Sequence, residues 1–483
     1  MYRRTKIVAT LGPACSEKAQ LRELLKAGVN VFRLNFSHGG YEQKEVWIRQ
    51  LRQFAAELNI TISILGDLQG PKIRTGMMQN GSQKLDAGQK VIITTADIEG
   101  ANGLIPTSYE DLPNDVVPGD QILLDDGRLE LEVLRILSGK VHCLVKVGGL
   151  LKDRKGINLP GVKVSAPAMT TKDFDDLQFA IEQELDWIAL SFVRTASEVS
   201  LLKKKLQDQN SGMKVIAKIE KPEAVTNFSA ILAVTDGVMV ARGDLGVEVP
   251  SEHVPLIQKR IIRECNQQGK PVITATQMLE SIISQPRPTR AETSDVANAI
   301  LDGTDAVMLS GETAAGLYPI EAVRVMDRIA RDVETEPALG IRVNAATGES
   351  LCPLSHSDAI GKVACHLSET IGAAAILAFT QTGSTAALIA KYRPSLPIIA
   401  VTPNRQVKRQ LALYRGVHPL LVLHQGNTEA QILSVETAVL DGHLLQPGDV
   451  VVITMGIPLS APGTTNMLKV HQLERHPESP QGQ

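Results

Sequence analysis

The sequence is poor in aromatic residues and in cysteine, and its charges nearly cancel. Phe, Trp and Tyr make up only 3% of the 483 residues, which argues against surfaces that stack on bases or sugars. The formal net charge of −3 is too small for a protein whose main partner is nucleic acid or an anionic membrane surface. Five cysteines form no C-x-x-C pair, so we expect a reducing compartment, the cytoplasm.

Long hydrophobic runs are also missing. The longest uncharged run, 370–390, has a polar centre at 380–385, which a bilayer core does not accommodate. We therefore expect neither a membrane span nor a nucleic-acid partner. With 43% hydrophobic residues the chain is globular, and its length predicts about three domains of ~150 residues.

Short β-branched runs alternate with amphipathic stretches of helical length, which is typical of βα units. Eight runs are predicted strands: 6–11, 29–36, 61–68, 187–192, 214–220, 238–242, 271–275 and 305–309. The predicted helices between them include 17–26, 43–58, 198–207, 256–267 and 290–301. Eight strands joined in chain order predict an α/β fold whose largest part is a (β/α)8 TIM barrel.

Two regions depart from this alternation. After residue 68 the apolar period becomes two, which predicts an inserted small antiparallel β-barrel domain acting as a lid over the barrel mouth. Its strands are expected at 89–94, 121–124, 128–134 and 140–147. After a linker that ends near residue 353, a C-terminal α/β domain with a doubly wound sheet is expected.

The C-terminal strands are expected at 374–379, 397–401, 417–422 and 450–455, with helices that include 358–370, 385–392 and 406–414. The domain limits that follow are 1–69 and 167–342 for the two parts of the barrel, 70–166 for the lid and 343–483 for the C-terminal domain.

Catalytic groups of a TIM barrel lie at the carboxyl ends of its strands, so the residues that follow each predicted strand are the candidates. Arg33, Asn35 and Ser37 lie on one side of the second strand, where they supply a phosphate-binding guanidinium and oxygen ligands. Asp67, Lys72 and Arg74 follow the third strand. One carboxylate among several cations suits a phosphorylated substrate.

The fifth and sixth strands end in groups suited to a divalent metal. Lys218 and Glu220 face the same way, and Asp244 follows the neighbouring strand. Two carboxylates with open positions for water and substrate oxygens are the usual protein share of a Mg²⁺ site, with Mn²⁺ an open alternative. A single Lys or Glu at a strand end is more often salt-bridged than catalytic. Six of eight strand ends carry such groups, however, and a purely structural account does not explain their collection at one mouth.

Other candidates each have a structural alternative. A zinc site is conceivable at Cys352 with His356 or at Cys365 with His366, but these spacings match no standard zinc pattern. Asp125 and Asp126 precede Gly127, which favours a hairpin turn over catalysis. His38 is a mouth residue or a hydrogen-bonded structural histidine. The 380–385 segment is either a phosphate nest at a helix start or ordinary N-capping by Ser384 or Thr385.

Several long runs together resemble pyruvate kinases of the bacterial type. They are TKIVATLGP at 5–13, RLNFSHG at 33–39, ARGDLG at 241–246, ATQMLES at 275–281 and SGET at 310–313, and the likeness covers nearly the whole chain. The resemblance implies Mg²⁺-dependent phosphoryl transfer from phosphoenolpyruvate to ADP, giving pyruvate and ATP in glycolysis. It also implies a homotetramer.

The resemblance assigns roles to the candidate residues. Lys218 would stabilise the phosphoryl group in flight, Arg33 would hold the phosphate, and Glu220 and Asp244 would bind the metal. The amides of Gly243 and Asp244, with Thr276, would receive the substrate carboxylate, and Thr276 would protonate the enolate through water. The matches to nucleotide contacts are Asn35, His38, Arg74 and the insert residue Lys155.

One departure from the family concerns potassium. Asn35, Ser37, Asp67 and the carbonyl of Leu68 match the monovalent-cation ligands of K⁺-dependent members, which resemble Asp-Thr-Lys-Gly-Pro-Glu in this loop. Here the loop reads Asp67-Leu68-Gln69-Gly70-Pro71-Lys72. A Lys72 ammonium can supply the charge that K⁺ would bring, so we expect no K⁺ requirement.

A second departure concerns regulation. Many relatives bind a sugar bisphosphate through a basic Thr/Ser loop, but the corresponding residues here are uncharged: Thr380, Thr382, Gly383, Ser384 and Thr385. Since nearby Arg405, Lys408 and Arg409 compensate only partly, we expect activation by a sugar monophosphate or AMP. Two other functions fit parts of the pattern, namely a metal-dependent 2-oxo-acid lyase or aldolase and a non-catalytic phosphometabolite sensor.

Overall fold

The computed structural model describes residues 3–335, 354–424, 426–457 and 465–474. Its strands are β1 (Lys6–Thr10), β2 (Val31–Asn35), β3 (Ser63–Asp67), β4 (Ser82–Leu85), β5 (Lys90–Thr94), β6 (Leu104–Pro106), β7 (Gln121–Leu124), β8 (Leu129–Leu137), β9 (Lys140–Val147), β10 (Gly149–Lys152), β11 (Ile157–Asn158), β12 (Trp187–Leu190), β13 (Lys214–Ile219), β14 (Gly237–Ala241), β15 (Val272–Ala275), β16 (Ala306–Leu309), β17 (Ala375–Phe379), β18 (Ile398–Thr402), β19 (Val417–Leu421), β20 (Val450–Met455) and β21 (Met467–Gln472).

The α-helices of these ranges are α1 (Lys18–Lys26), α2 (Tyr41–Glu57), α3 (Leu112–Asp115), α4 (Thr171–Glu182), α5 (Ala196–Asp208), α6 (Pro222–Thr226), α7 (Phe228–Val234), α8 (Arg242–Glu248), α9 (Val254–Gln268), α10 (Arg290–Leu301), α11 (Gly311–Ala314), α12 (Pro319–Thr335), α13 (His356–Thr370), α14 (Ser384–Ala390), α15 (Arg405–Gln410) and α16 (Thr428–Asp441). None of them is long and apolar enough to cross a bilayer.

Eight parallel strands close into a barrel in the chain order β1, β2, β3, β12, β13, β14, β15 and β16, which confirms the predicted TIM barrel. Branched and small side chains fill its interior, among them Val8, Val31, Leu65, Ile216 and Ile273. This layered interior is the usual way in which such barrels exclude water. The chemistry of the barrel is therefore confined to its ends.

The insert between β3 and β12 is rich in strands, as predicted, but its hydrogen bonding is more complex. Six strands form one sheet in the order β11, β7, β8, β9, β5 and β6, and β10 pairs separately with β4. β5 and β6 are parallel, whereas an antiparallel insert was expected. At Gly148 an added Cβ would lie 2.5 Å from the Leu85 carbonyl oxygen. The chain passes close to the end of β4 at this glycine, between β9 of the six-stranded sheet and β10 of the two-stranded sheet. The two sheets share one core, which contains Leu85, Leu131 and Leu151.

The C-terminal domain is the predicted doubly wound sheet. β19, β18, β17 and β20 are parallel, and β21 runs antiparallel along β20. β21 and α16 were not predicted, and β21 lacks an apolar pattern because most of its residues are partly or fully exposed. The expected helix 406–414 ends at Gln410 and continues as the 3₁₀ turn Leu411–Leu413. The expected linker lies mainly outside the described residues.

The C-terminal domain packs on the end of the barrel where the strands begin. Arg393 binds Asp305 through two hydrogen bonds of 2.6 and 2.9 Å, and Lys6 Nζ donates to the Val417 carbonyl at 2.7 Å. Asp305 immediately precedes β16. The opposite end, where the strands finish, is left for the lid and the candidate site.

Candidate active site

A buried lysine lies at the centre of the predicted site. Lys218 points from the end of β13 and is 9% exposed. Its Nζ lies 3.2 Å from Asp67 Oδ1 and 2.9 Å from Glu220 Oε1. Lys218 and Glu220 are two residues apart and therefore project to the same side of the strand, as the sequence predicted. The two carboxylates stabilise the buried ammonium.

Arg33 joins this cluster from β2. Its Nε donates to Asp67 Oδ2 at 2.6 Å, and its Nη1 donates to Thr10 Oγ1 at 3.0 Å. β2 and β3 pair with Asn35 opposite Asp67, which brings their polar ends to one level of the barrel. Asp67 therefore accepts from Arg33 with one oxygen and contacts Lys218 with the other.

The electrostatics of the cluster follow from burial and from these pairs. Burial would raise the pKa of Asp67, but Lys218 and Arg33 together hold it below its usual range. Burial would lower the pKa of Lys218, but Asp67 and Glu220 raise it above its usual value. Lys218 is therefore a permanent cation at neutral pH, and it acts by its charge and hydrogen-bond donors rather than as a base.

A second group of residues comes from β14 and β15. Gly243 N–H donates to Thr276 Oγ1 at 2.7 Å, and Thr276 Oγ1 donates to the Ala275 carbonyl at 2.6 Å. Thr276 and Gln277 have positive φ angles of 68° and 54°, which are uncommon for non-glycine residues and strained for a β-branched residue such as Thr276. The structure thus brings Gly243 and Thr276 together, as predicted.

The two predicted metal ligands are close enough to influence each other. Burial, followed by the charge of Asp244 and opposed by Lys218, raises the pKa of Glu220. Phe192 N–H donates to Glu220 Oε2 at 2.8 Å, while Oε1 faces the Lys218 ammonium at 2.9 Å. No cluster of three or more His, Cys, Asp or Glu suited to a metal occurs in the described ranges. Two carboxylates at neighbouring strand ends fit a metal that takes its other ligands from water or substrate.

Lys72 lies at the same mouth, with its Nζ 4.0 Å from Asp244 Oδ1. The predicted monovalent-cation ligands already have partners in the protein. Asn35 Oδ1 accepts from the Ser37 amide at 3.0 Å, and the Leu68 carbonyl accepts from the Ser191 hydroxyl at 2.7 Å. With Asp67 bound to Arg33 and Lys218, three of the four predicted ligands already accept from donors of the chain itself.

The predicted nucleotide contacts form a looser group. Lys155 Nζ lies 2.8 Å from Asp125 Oδ1 within the lid, and Arg74 Nη1 donates to the Arg154 carbonyl at 3.1 Å. Burial, and then the charges of Arg74, Lys44, Arg33 and Lys72, lower the pKa of His38. The mouth near His38 is therefore positively charged, and its imidazole is neutral at pH 7.

The hairpin interpretation of the lid aspartates is supported. Asp125 and Asp126 have positive φ angles of 52° and 56°, and they link β7 to β8. Leu124 pairs with Leu129, so the two aspartates belong to a four-residue hairpin loop in which Gly127 also has a positive φ, 82°. Asp125 nevertheless also binds Lys155, a role that the sequence did not predict.

The predicted effector loop precedes α14. The N-cap residue of α14 is Gly383, with φ 91°, and no side chain caps it. The alternative that Ser384 or Thr385 N-caps this helix is therefore wrong. The Gly383 amide donates to Thr380 Oγ1 at 2.9 Å. Thr382 Oγ1 donates to Ser384 Oγ at 3.1 Å, so the loop is a compact turn of hydroxyl groups.

Of the zinc candidates, Cys352 lies outside the described residues. Cys365 is buried in α13, where its thiol donates to the Ile389 carbonyl at 3.7 Å. Burial, reinforced by Glu369, raises the pKa of Cys365 to about 12. A thiol that stays protonated in an apolar setting is a poor metal ligand.

Two residues of the site were not singled out from the sequence. Ser191 Oγ accepts a hydrogen bond from Lys218 at 2.8 Å. Arg242 Nη2 donates to the carbonyl of Thr276 at 2.8 Å, and its Nη1 donates to Asp295 Oδ1 at 2.7 Å. Ser191 and Arg242 lie at the ends of two predicted barrel strands, 187–192 and 238–242, so the strand-end rule could have found both. It could not have found their partners, because these are distant in sequence.

Comparisons with known proteins cover almost the whole chain. The family described as "Pyruvate kinase, barrel domain" matches residues 2–323, and the family described as "Pyruvate kinase, alpha/beta domain" matches residues 358–471. Pyruvate kinase 2 of Synechocystis sp. is 48% identical over 472 residues, which are 97% of this chain and 79% of that protein. The pyruvate kinase of Geobacillus stearothermophilus is 49% identical over 477 residues, 98% of this chain and 80% of that protein.

A solved structure gives the same result. The crystal structure of a pyruvate kinase from Cryptosporidium parvum aligns with a TM-score of 0.91 and 40% identity, covering 98% of this chain and 96% of that chain. A TIM barrel with a lid insert, with cations and carboxylates at its strand ends and with these relatives, is a phosphotransferase. The chain belongs to the pyruvate kinase family. This assignment speaks against the lyase and sensor alternatives.

Proposed function

We propose that the chain transfers the phosphoryl group of phosphoenolpyruvate to ADP, giving pyruvate and ATP, with Mg²⁺ and without a K⁺ requirement. The observation that carries the proposal is the buried Lys218 ammonium between Asp67 and Glu220, with the Arg33 guanidinium on the far side of Asp67. Two fixed cations at one barrel mouth suit the dianionic phosphate group of this substrate.

In the proposed reaction the chain contributes positioning and charge. The bond between phosphorus and the enol oxygen breaks, its electron pair stays on that oxygen, and a new bond forms to a β-phosphate oxygen of ADP. Such a transfer has a loose transition state that needs charge neutralisation more than a nucleophilic side chain. Lys218 and Arg33 supply this charge, and their positions are set by Asp67 rather than by the substrate.

The second half of the reaction converts the enolate to pyruvate. The amides of Gly243 and Asp244 belong to the first turn of α8, and with Thr276 they receive the substrate carboxylate. A proton then reaches the enolate carbon from the side of the Thr276 hydroxyl, through water. The hydrogen bond from Gly243 N–H to Thr276 Oγ1 supports the placement of these groups around one substrate.

The proposed metal ligands are Glu220 and Asp244, because they are carboxylates from neighbouring strand ends and the charge of Asp244 acts on Glu220. When bound there, Mg²⁺ or Mn²⁺ would neutralise negative charge on the substrate oxygens. For the nucleotide we propose Asn35, His38, Arg74 and Lys155, of which Arg74 and Lys155 bring positive charge to the mouth. Lid closure would bring Lys155 toward the phosphates.

K⁺ independence is proposed from the contacts around Lys72 and the monovalent-cation pocket. The Lys72 ammonium lies near Asp244, and the oxygens of Asn35, Asp67 and Leu68 accept from donors of the chain. A positive charge is thus built into the loop, and hydrogen bonds of the chain compete with a cation for these oxygens.

Allosteric activation by a sugar monophosphate or AMP is proposed for the loop that holds Thr380, Thr382, Gly383, Ser384 and Thr385. The exposed hydroxyls of Thr382 and Ser384 and the helix start that follows suit one phosphate group. Of the nearby cations, Arg409 is held by Asp186 at 2.6 Å and is not available to a second phosphate. A bisphosphate is therefore expected to activate weakly.

The remaining expectations are part of the same proposal. The domain limits are 1–69 and 167–342 for the barrel, 70–166 for the lid and 343–483 for the C-terminal domain. We expect a homotetramer that acts in glycolysis in the cytoplasm. The four described cysteines are buried and free, which suits a reducing compartment.

The decisive experiment follows ATP and pyruvate together. Purified protein with phosphoenolpyruvate, ADP and Mg²⁺ should form the two products in equal amounts, and chelation of Mg²⁺ should stop both. Lys218→Met should lower turnover by about 10²–10³-fold or more, while Lys203→Met, a lysine paired with Asp236 away from the site, should not. Pyruvate formation without ATP, or an active Lys218→Met enzyme, would contradict the proposal.

A further inference from the structure

Ser191 is a buried hydroxyl for which the reaction outlined above has no role. It directly follows β12 and is 2% exposed. Its Oγ lies 2.7 Å from the Leu68 carbonyl oxygen, 2.8 Å from Lys218 Nζ and 3.4 Å from Asp67 Oδ1. Three polar groups of the site therefore converge on one hydroxyl.

The polarity of these hydrogen bonds is fixed by chemistry. A serine hydroxyl has one proton to donate and two lone pairs that accept, a carbonyl oxygen only accepts, and an ammonium only donates. The hydroxyl proton therefore points to Leu68, which is the shorter acceptor contact, and a lone pair faces Lys218. Ser191 cannot turn away from Lys218 without losing one of these bonds.

Ser191 holds Lys218 in a way that the two carboxylates do not. The contacts of Lys218 to Asp67 and Glu220 are ion pairs at 3.2 and 2.9 Å, and ion pairs constrain distance more than direction. The hydrogen bond to Ser191 Oγ is directional. Without it, the ammonium would be drawn toward the two carboxylates, away from the position that it now occupies.

The backbone around Ser191 is shaped to keep this contact. Phe192 has a φ angle of 54°, and its amide donates to Glu220 Oε2 at 2.8 Å, so one turn fixes both Lys218 and Glu220. Gly70 packs against this turn, where an added Cβ would lie 2.9 Å from the Phe192 ring and 3.1 Å from Ser191 Cβ. Such a left-handed residue in a buried turn indicates a geometry that the surrounding structure enforces.

We propose that Ser191 is a positioning residue for Lys218, whose hydroxyl sets the direction of the ammonium toward the transferred phosphoryl group. The inference rests on the proposed role of Lys218. Since Lys218 acts mainly on the transition state, loss of the hydroxyl lowers kcat and leaves the KM for phosphoenolpyruvate nearly unchanged.

The test compares Ser191→Ala with Thr235→Val. Thr235 is also a buried hydroxyl, and it donates to the carbonyls of Val215 and Gly237 at the opposite end of the barrel. A displaced catalytic group can cost about 100-fold in rate, so we expect Ser191→Ala to lower kcat by about 10- to 100-fold. Thr235→Val should lower the melting temperature without this loss, and Ser191→Thr, which keeps the hydroxyl, should recover much of the rate.

A double-mutant cycle with Lys218→Met separates positioning from general damage. If Ser191 acts through Lys218, adding Ser191→Ala to Lys218→Met changes kcat little. Equal losses in both backgrounds, an effect on KM alone, or a normal kcat in Ser191→Ala would each overturn the inference and leave the proposed function intact. An active Lys218→Met enzyme would instead defeat the proposed function, and this inference with it.

Discussion

Arg409 of the C-terminal domain forms a 2.6 Å salt bridge with Asp186 of the barrel, at the barrel end opposite Lys218. Asp186 Oδ2 also accepts from the backbone amide of Ile64 at 2.8 Å. This carboxylate therefore fixes the starts of β3 and β12 to each other and to α15. The same two strands lead to Asp67 and Ser191, so a contact between domains supports the strands that carry the site.

The first prediction concerns this salt bridge. Arg409→Met leaves the Asp186 carboxylate buried with one neutral donor, which should lower the free energy of unfolding by about 2–4 kcal/mol. Burial raises the pKa of Asp186 and Arg409 opposes the shift, so the pKa of Asp186 should lie higher still in Arg409→Met. The loss of unfolding free energy should be complete above that raised pKa. It should shrink as the pH falls through that pKa, because a protonated Asp186 needs no cation. Urea unfolding of parent and variant at several pH values measures this difference in stability.

The control for this prediction is Arg405→Met, which changes an exposed arginine of the same helix and should leave unfolding within about 0.5 kcal/mol of the parent. A loss in Arg409→Met that grows as the pH falls would contradict the electrostatic explanation. It would point instead to lost packing of the arginine side chain.

Most of the fold and much of the site follow from the sequence for a physical reason. The strands of a parallel barrel are buried on both faces, so they are continuous apolar runs, and all eight were found within two residues of their bounds. Their polar ends were equally visible, which is why Lys218, Glu220 and Arg33 could be selected.

The elements that were missed depend on contacts between distant parts of the chain. β21 is largely exposed and is a strand only because β20 provides its hydrogen-bond partners. At the start of α14 the sequence left a phosphate nest and N-capping by Ser384 or Thr385 as alternatives, but the N-cap is Gly383 with a left-handed φ. Ser191 and Arg242 lie at predicted strand ends, but the carbonyls that they contact, those of Leu68 and Thr276, are not recorded in any sequence pattern.

The second prediction concerns potassium. The parent enzyme should turn over at a similar rate with and without KCl, because Lys72 already places a positive charge beside Asp244. Lys72→Glu places two carboxylates together there and should require K⁺ for activity. Lys152→Glu, an exposed lysine of the lid, is the matched charge reversal and should acquire no requirement. A parent rate that rises steeply from near zero as KCl is added would refute the prediction.

The third prediction concerns activation. Phosphoenolpyruvate saturation curves should shift to lower concentration with AMP or a hexose monophosphate, and less with fructose 1,6-bisphosphate. Ser384→Asp adds a negative charge at the exposed start of α14 and should abolish the shift without changing the basal kcat, since it repels a phosphate. Thr428→Asp makes the same change at the start of α16 and should leave activation intact. A bisphosphate that alone removes sigmoidality would defeat the proposed effector class.

The fourth prediction concerns the nucleotide. Arg74 contributes to the positive field that lowers the pKa of His38, and a charge-assisted hydrogen bond to phosphate is worth about 1.5–3 kcal/mol. Arg74→Met should therefore raise the KM for ADP by about tenfold or more, with the KM for phosphoenolpyruvate little changed. Arg128→Met, an exposed lid arginine that lies 3.7 Å from Asp125, is the control and should change neither constant. Equal increases in both KM values would show instead that Arg74 supports the whole mouth, because only a contact specific to the nucleotide separates the two substrates.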